Sequence, residues 1–316
     1  MKKRSLFAFA GAVMLAVAVL SCASTDVPGR ARLTKTPQRM FWRIDGTDAK
    51  GNPSTVYIQG TFHLGDEQIY PLAQEVQDAF LHADRLAGEI SSKGYEELTA
   101  IAPKLSAPNK EGKIVTDYLS AEEKAVLVTL LGSEAALAQA SVLDPWQLTT
   151  ALAVALYVNT GLSAEYGLDN AFIASATQQG RTWEGLDELQ VQLDVMTFGD
   201  YDTQLQMLKD TLKAFIDEKE AEKSVDFTKK LYKNYVSDNV RALTRLFNES
   251  NAEEEGSAAF YKDYHELVYA KRNEDWARDI TAYLEKGGTT FIFAGTAHWV
   301  GDDSVFSFLR KMGTIN

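Results

Sequence analysis

The chain has 316 residues, of which 45% are hydrophobic, 24% charged and 10% aromatic. These fractions exclude a disordered polymer, a collagen-like repeat and a disulfide mini-protein, and the length suffices for one large core or two small ones. The formal net charge is −12, and Lys2, Lys3 and Arg4 offset part of it, so the chain beyond them is more acidic still. Such a balance opposes general binding to nucleic acid or to anionic lipid headgroups and suits a dispersed enzyme or binding protein.

Lys2-Lys3-Arg4 is a basic n-region, and Leu6 to Leu20 is an uncharged apolar run. The run has the length of a signal-peptide h-region and falls short of the roughly 20 residues a spanning helix needs. It ends in Val19-Leu20-Ser21-Cys22, which resembles a bacterial lipobox. On that reading residues 1–21 are a lipoprotein signal peptide, Cys22 bears the lipid, and the protein sits in the bacterial cell envelope. Ala23, where an Asp would redirect sorting, resembles the pattern sent to the outer membrane, on its periplasmic face in a Gram-negative cell. Cys22 is the sole cysteine. An intrachain disulfide, a Cys nucleophile and a Cys-based zinc site are therefore all excluded. The polar segment 22–39 reads as a tether between lipid and domain, and no other apolar stretch is long enough to span a bilayer.

Residues 40–44 and 55–59 are predicted strands flanking a Gly/Asp/Asn-rich turn, hence a hairpin. The second strand runs into Gly60-Thr61-Phe62-His63-Leu64-Gly65-Asp66. A helix is predicted over 71–84, then a short strand over 85–90 that ends in Glu89. The middle is helical: a capping-box pattern at Ser120 and Glu123, a helix start at Asp144-Pro145, a helix over 164–179, and apolar spacing over 201–216 and 226–247. Residues 248–257, acidic and polar, read as a loop. The longest helix is predicted over 258–286, stopped by Gly287-Gly288. A buried-type strand, 289–294, leads into Gly295-Thr296-Ala297-His298-Trp299-Val300-Gly301-Asp302 and a short final helix.

The informative feature is an internal echo. Strand, Gly-Thr-x-His, Gly-Asp and helix occur twice, from Gly60 and from Gly295. Two of the four histidines thus occupy equivalent positions. Glycine lets backbone turn or approach a ligand closely, and strand ends are where sites on open α/β sheets are built. His63 and His298 have three readings: metal ligands completed by a carboxylate, a metal-free acid/base pair, or residues that merely tie turns together. Glu89 is the carboxylate of choice, because burying it in Leu86-Ala87-Gly88-Glu89-Ile90 needs a cation or donor. His82 and His265, inside helices, read as surface or structural. Arg272 lies in the apolar stripe Val268, Arg272, Trp276, Ile280 and requires a partner, and Asp169 sits beside the apolar face of its helix.

These blocks together resemble the TraB/GumN family, also called TraB/PrgY or Tiki-like. Phe41-Trp42-Arg43-Ile44 before Tyr57-Ile58-Gln59-Gly60-Thr61-Phe62-His63 is similar to its opening. Tyr70-Pro71-Leu72 and Ala83-Asp84 leading to Glu89 resemble its next block. Gly167-Leu168-Asp169, Gly185-Leu186-Asp187 and Gln192 look like its centre, and Arg272-Asn273, Trp276 and Gly295 to Gly301 like its close. Asp187 stands where the family often has Glu. The resemblance covers about residues 40–313 and defines one domain, 40–316. It implies an α/β (α+β) fold whose central sheet carries the two strand–GxxH–helix units in pseudo-symmetric relation beside a large helical middle. It also implies a metal-dependent peptidase or hydrolase with His63, His298 and Glu89 as catalytic and metal-binding set. Arg272, Asn273, Asp169, Gly60 and Gly295 would support substrate or ligands. The ion would be divalent Mn, Co, Zn or Fe. The alternative is a non-catalytic envelope protein that sequesters a peptide or signal ligand; a third reading, hydrolysis of small esters by the His pair alone, predicts turnover insensitive to chelator.

Overall fold

The computed structural model describes residues 29–316; the expected signal peptide, residues 1–21, and Cys22 lie outside them. Six strands form one sheet in the order β1-β2-β3-β6-β4-β5. β1 (Arg32–Lys35), β2 (Phe41–Thr47) and β3 (Pro53–Thr61) are an antiparallel meander. The expected hairpin is its second and third strands. Residues 32–35, expected to be tether, are instead the edge strand. Leu33 lies opposite Ile44, and Lys35 Nζ reaches Asp238 at 2.7 Å, so this segment is fixed to the domain.

β3 then pairs in parallel with the last strand of the chain. α1 (Gln74–His82) leads to β4 (Arg85–Ile90). The helical middle follows with α2 (Ser92–Leu105), α3 (Ala121–Leu131), α4 (Glu134–Ala140), α5 (Pro145–Val158) and α6 (Leu168–Gln178). The Ser120 and Glu123 capping box forms as expected. β5 (Glu184–Asp187) comes next, then α7 (Leu189–Met196), α8 (Tyr201–Ile216), α9 (Glu218–Val236) and α10 (Val240–Ser257). The helix expected over 226–247 is broken by Asp238, at φ +58, and restarted by Asn239, whose side chain accepts from Ala242 N–H.

Residues 248–257, expected to be a loop, continue α10. Their Glu, Ala and Asn side chains allow helix, and partners hold it: Lys223 pairs with Glu253, and His265 with Glu254 and Glu255. The long helix runs as α11 (Phe260–His265), one widened π turn (Glu266–Ala270) and α12 (Lys271–Lys286), which ends before Gly287 at φ +77. β6 (Gly288–Gly295) and α13 (Val305–Lys311) complete the chain.

β6 inserts between β3 and β4, so β3, β6, β4 and β5 all run the same way. It is the best-buried strand: Phe291, Ile292, Phe293 and Ala294 are inaccessible or nearly so. Central parallel strands read as continuous apolar runs for this reason. Phe80, Phe172 and Phe291 pack ring to ring on one face, joining α1 and α6 to the sheet. A second core, with Leu127, Leu152, Leu208 and Leu212 at its centre, holds α3, α5 and α8 together. Among the described residues no helix is long and apolar enough to cross a membrane.

Asp279 on α12 gives a stability prediction. Burial, with Asp275 and Asp187 near it, pushes its carboxyl from 3.8 up to about 6. The folded chain therefore binds this proton more tightly than the unfolded chain, and stability falls as pH rises from about 4 to 6. Asp279→Asn should raise the melting temperature at pH 7.5 and leave it unchanged at pH 3.5. An equal gain at both values would show that charge is not the cause.

Candidate functional site

Parallel strand order brings the predicted residues to one edge. Gly60 lies opposite Ala294 and Thr61 opposite Gly295, so the two Gly-Thr-x-His turns leave neighbouring strands one residue apart in register. Glu89 is the last residue but one of β4, and Asp187 ends β5 at the same edge. Close approach explains the glycines. A Cβ on Gly60 would stand 2.8 Å from Thr296 Oγ1, which itself donates to the Thr61 carbonyl at 2.9 Å and ties the two turns together. A Cβ on Gly295 would stand 3.1 Å from Glu89 Oε1.

The first turn is clamped to the start of α6. Leu168 N–H donates to the Phe62 carbonyl at 3.0 Å, and Gly65 pairs with Ser163. A Cβ on Gly167 would fall 2.2 Å from the His63 carbonyl oxygen, a distance that no side chain can occupy. Gly167→Ala should therefore displace the His63 backbone and lower stability by about 2 kcal/mol or more; a melt within a degree of the parent would show that the clamp is dispensable.

That clamp places Asp169 on both residues of the motif. One carboxylate oxygen accepts a short bond from Thr61 Oγ1, and the other accepts from His63 Nδ1 at 2.9 Å. Asp169 raises His63 to about 9 through its charge and this hydrogen bond. The His63 side chain is 69% exposed, and its Nδ1 is the ring nitrogen engaged by Asp169.

His298 is the opposite case. It is buried, with its ring 4.2 Å from that of Trp276. Asn273 Nδ2 donates to the Asp303 carbonyl at 2.7 Å, which turns Asn273 Oδ1 toward His298 Nδ1 at 2.6 Å. His298 Nδ1 thus carries the proton and Nε2 the lone pair. Burial, then the Arg272 charge, lowers this imidazole to about 3, so it is neutral.

Glu89 lies between these elements. Its Oε1 accepts from Gly295 N–H at 3.0 Å, and its Oε2 accepts from Arg272 at 2.9 Å and Gln192 at 3.3 Å. Burial pushes the carboxyl up, but the Arg272 charge, the His63 charge and the Gly295 N–H outweigh it and hold Glu89 below its ordinary value. The same guanidinium donates to Asp187 Oδ2 at 2.8 Å and to the Val268 carbonyl of the π turn at 3.1 Å, and it lies over the Trp276 ring. Trp276 Nε1 and Gln192 complete the shell around Asp187.

The structure therefore brings His63, Asp169, Glu89, Arg272, Asn273 and His298 to one end of the sheet in three hydrogen-bonded groups, His63 with Asp169, Glu89 with Arg272, and His298 with Asn273, with Gly60 and Gly295 close by. Asp187, Gln192, Thr61 and Thr296 stand there as well. Sequence reasoning gave Asp187 no role; the signal for it was Arg272, a buried cation serving two carboxylates. The inward pair left open for Arg272 is with Glu89 and Asp187, whereas Asp169 pairs with His63. His82 is exposed and bonded to its own helix at Asp78, and His265 is buried between two glutamates, so neither joins the site.

The fold and the site define an α/β protein whose parallel strands deliver paired histidines and a carboxylate–guanidinium pair to one sheet edge. The chain belongs to the TraB/PrgY/gumN family, whose profile matches residues 40–315. It is similar to an uncharacterized protein of Treponema pallidum (strain Nichols), 27% identical over 309 residues that cover 95% of this chain and 89% of that protein. No solved structure matches it significantly.

Proposed function

We propose that this protein is a metal-dependent hydrolase of peptides, anchored in the cell envelope by lipid on Cys22. The supporting observation for the chemistry is the hydrogen bonding of the two histidines. Each has Nδ1 committed to a fixed acceptor, Asp169 or Asn273, which leaves Nε2 for a ligand. A ring nitrogen oriented by an acceptor behind it is the usual support of a metal-binding histidine. Glu89 supplies an ionised carboxylate beside them. Among the described residues no three His, Cys, Asp or Glu side chains stand at ligating distances from one another, so the set fits a divalent cation in chemistry and not yet in spacing. Mn, Co, Zn and Fe all accept this donor type.

A bound divalent cation supplies Lewis acidity and a water acidic enough to attack near neutrality. The chain does the rest. Glu89 is fixed by Gly295 N–H and Arg272, so it holds one orientation as ligand or general base. Neutral His298 offers its Nε2 lone pair. His63 would give up its Nε2 proton to act as the second imidazole ligand, with Asp169 accepting from Nδ1 behind it. The envelope location is supported by the N-terminal pattern Lys2-Lys3-Arg4, Leu6 to Leu20 and Cys22.

The test is metal content of protein purified without chelator or polyhistidine tag, beside His63→Ala and His298→Ala. Near-stoichiometric metal, lost in both folded variants together with hydrolysis of a peptide library, supports the proposal. Parent protein that stays metal-free after reconstitution overturns it. That outcome favours the second reading, a non-catalytic protein that binds a peptide or signal ligand. A cavity beside the site, described next, is the observation that favours it.

A further inference from the structure

A cavity of about 480 Å³ lies between α10, the π turn and the 297–303 loop of the second motif. Its volume is in the range of small-molecule sites. His63 and Glu89 do not line it, so it is a separate space behind His298. Its wall reaches His298 through two residues: Asn273, which fixes the His298 ring, and Tyr269, whose ring centroid is 5.8 Å from that ring.

The lining has two kinds of surface. Phe247, Val300 and the Tyr269 ring give it an apolar interior. Glu255, Glu266, Asp302 and Asp303, all solvent-exposed, give it four carboxylates, with Lys262 and His265 in the same wall and Lys311 3.8 Å from Asp303. His265 is already engaged, with Nε2 at 2.9 Å from Glu254 and Nδ1 at 3.2 Å from Glu255. Lys262 is solvent-exposed and makes no ion pair among the described residues. Glu266 and Asp302 are thus the carboxylates of the lining that have no ion pair among the described residues, on a chain whose formal charge is −12. A concave wall of one sign concentrates ligands of the other.

We propose that this cavity binds an organic cation with an apolar stem and an ammonium or guanidinium head, the chemistry of a lysine or arginine side chain. The stem lies against Phe247, Val300 and Tyr269, and the head is met by Glu266 and Asp302. Asp302 takes only a 3.3 Å bond from Asn248 Nδ2 and keeps its remaining acceptor capacity. A neutral stem lacks the attraction, and an anion meets four carboxylates. Placing the cavity as the subsite for a basic residue of the substrate rests on the proposed hydrolase; cation binding does not.

Calorimetric titration at low salt, on chelator-treated protein, tests it with four probes. These are Nα-acetyl-lysine methylamide, its arginine analogue, cadaverine and uncharged Nα-acetyl-norleucine methylamide. A basic amide should bind about tenfold more tightly than the norleucine compound, with affinity falling as salt rises. The double substitution Glu266→Gln with Asp302→Asn should weaken it about fivefold. Ala252→Trp, a solvent-exposed α10 residue on the cavity wall, should remove binding without lowering the melting temperature. Cadaverine binding as tightly as the amides identifies a free amine as ligand, and amides binding alone identify a peptide residue; both support the cationic site. Equal binding of the norleucine compound, no binding by any probe at millimolar concentration, or a basic amide indifferent to the double substitution overturns it. No metal or turnover enters these titrations, so they can fail while the hydrolase reading stands, and succeed while it falls.

Discussion

Arg272→Met should lower the stability of the protein by about 3–5 kcal/mol, the usual cost of leaving a buried charge without its partner. Two carboxylates are affected. Glu89 is 19% exposed and Asp187 3%, and Arg272 donates to both. Methionine keeps much of the stem's contact with Trp276 and removes the charge, so the loss reports electrostatics rather than a void. The pH dependence has a definite sign. Without the guanidinium, both carboxyl groups rise above their unfolded values, and the folded variant then binds more protons than the unfolded chain. Its stability therefore falls as pH rises from 5 to 8, and the deficit against the parent widens. Denaturant unfolding at both pH values measures it. A deficit under 1 kcal/mol, or one independent of pH, would show that Gln192, Trp276 and water suffice for the two carboxylates.

The need for that partner was legible in the sequence; its identity was not. The i+4 repeat of Val268, Arg272, Trp276 and Ile280 puts the cation inward, and the apolar run around Glu89 marks a costly carboxylate. Both are local patterns. Asp187 escaped because β5 has four residues, too few to show a period, and its side chain gains meaning only when β5 lies beside β4. The motifs at Gly60 and Gly295 were legible for the same local reason. Their adjacency depends on the last strand of the chain entering between β3 and β4, a long-range choice that no window of sequence contains. The errors follow the same division. Residues 248–257 look like a loop by composition, and they are helix because Lys223 and His265 pair with their glutamates. The tether reading failed at residues 32–35, where strand pairing with β2 outweighs a polar sequence. One consequence bears on function: the cavity beside His298 exists only because α10 continues far enough to form its wall.

On the proposed hydrolase reading, Glu89→Gln should leave the fold standing and lower kcat for peptide hydrolysis by about 10²–10⁴, the range for loss of a general base. Arg272 keeps Asp187, so no buried charge is stranded. The amide cannot match both neighbours of the carboxylate, however. Gly295 N–H faces Oε1, and Arg272 faces Oε2, so both sides require an acceptor. Glutamine offers one oxygen and one NH₂, which sets donor against donor on one side at a cost of about 1–3 kcal/mol. Stability and activity then separate on scale. A wholly structural Glu89 predicts activity that tracks the fraction folded, which stays near one at 25 °C for a protein of ordinary stability. A Glu89 that touches the reacting atoms predicts loss of kcat in fully folded protein, with KM little changed. Circular dichroism and steady-state kinetics on one preparation decide between them. Full activity in folded Glu89→Gln would remove Glu89 from the chemistry and leave His63, with Asp169 behind it, as the group to test.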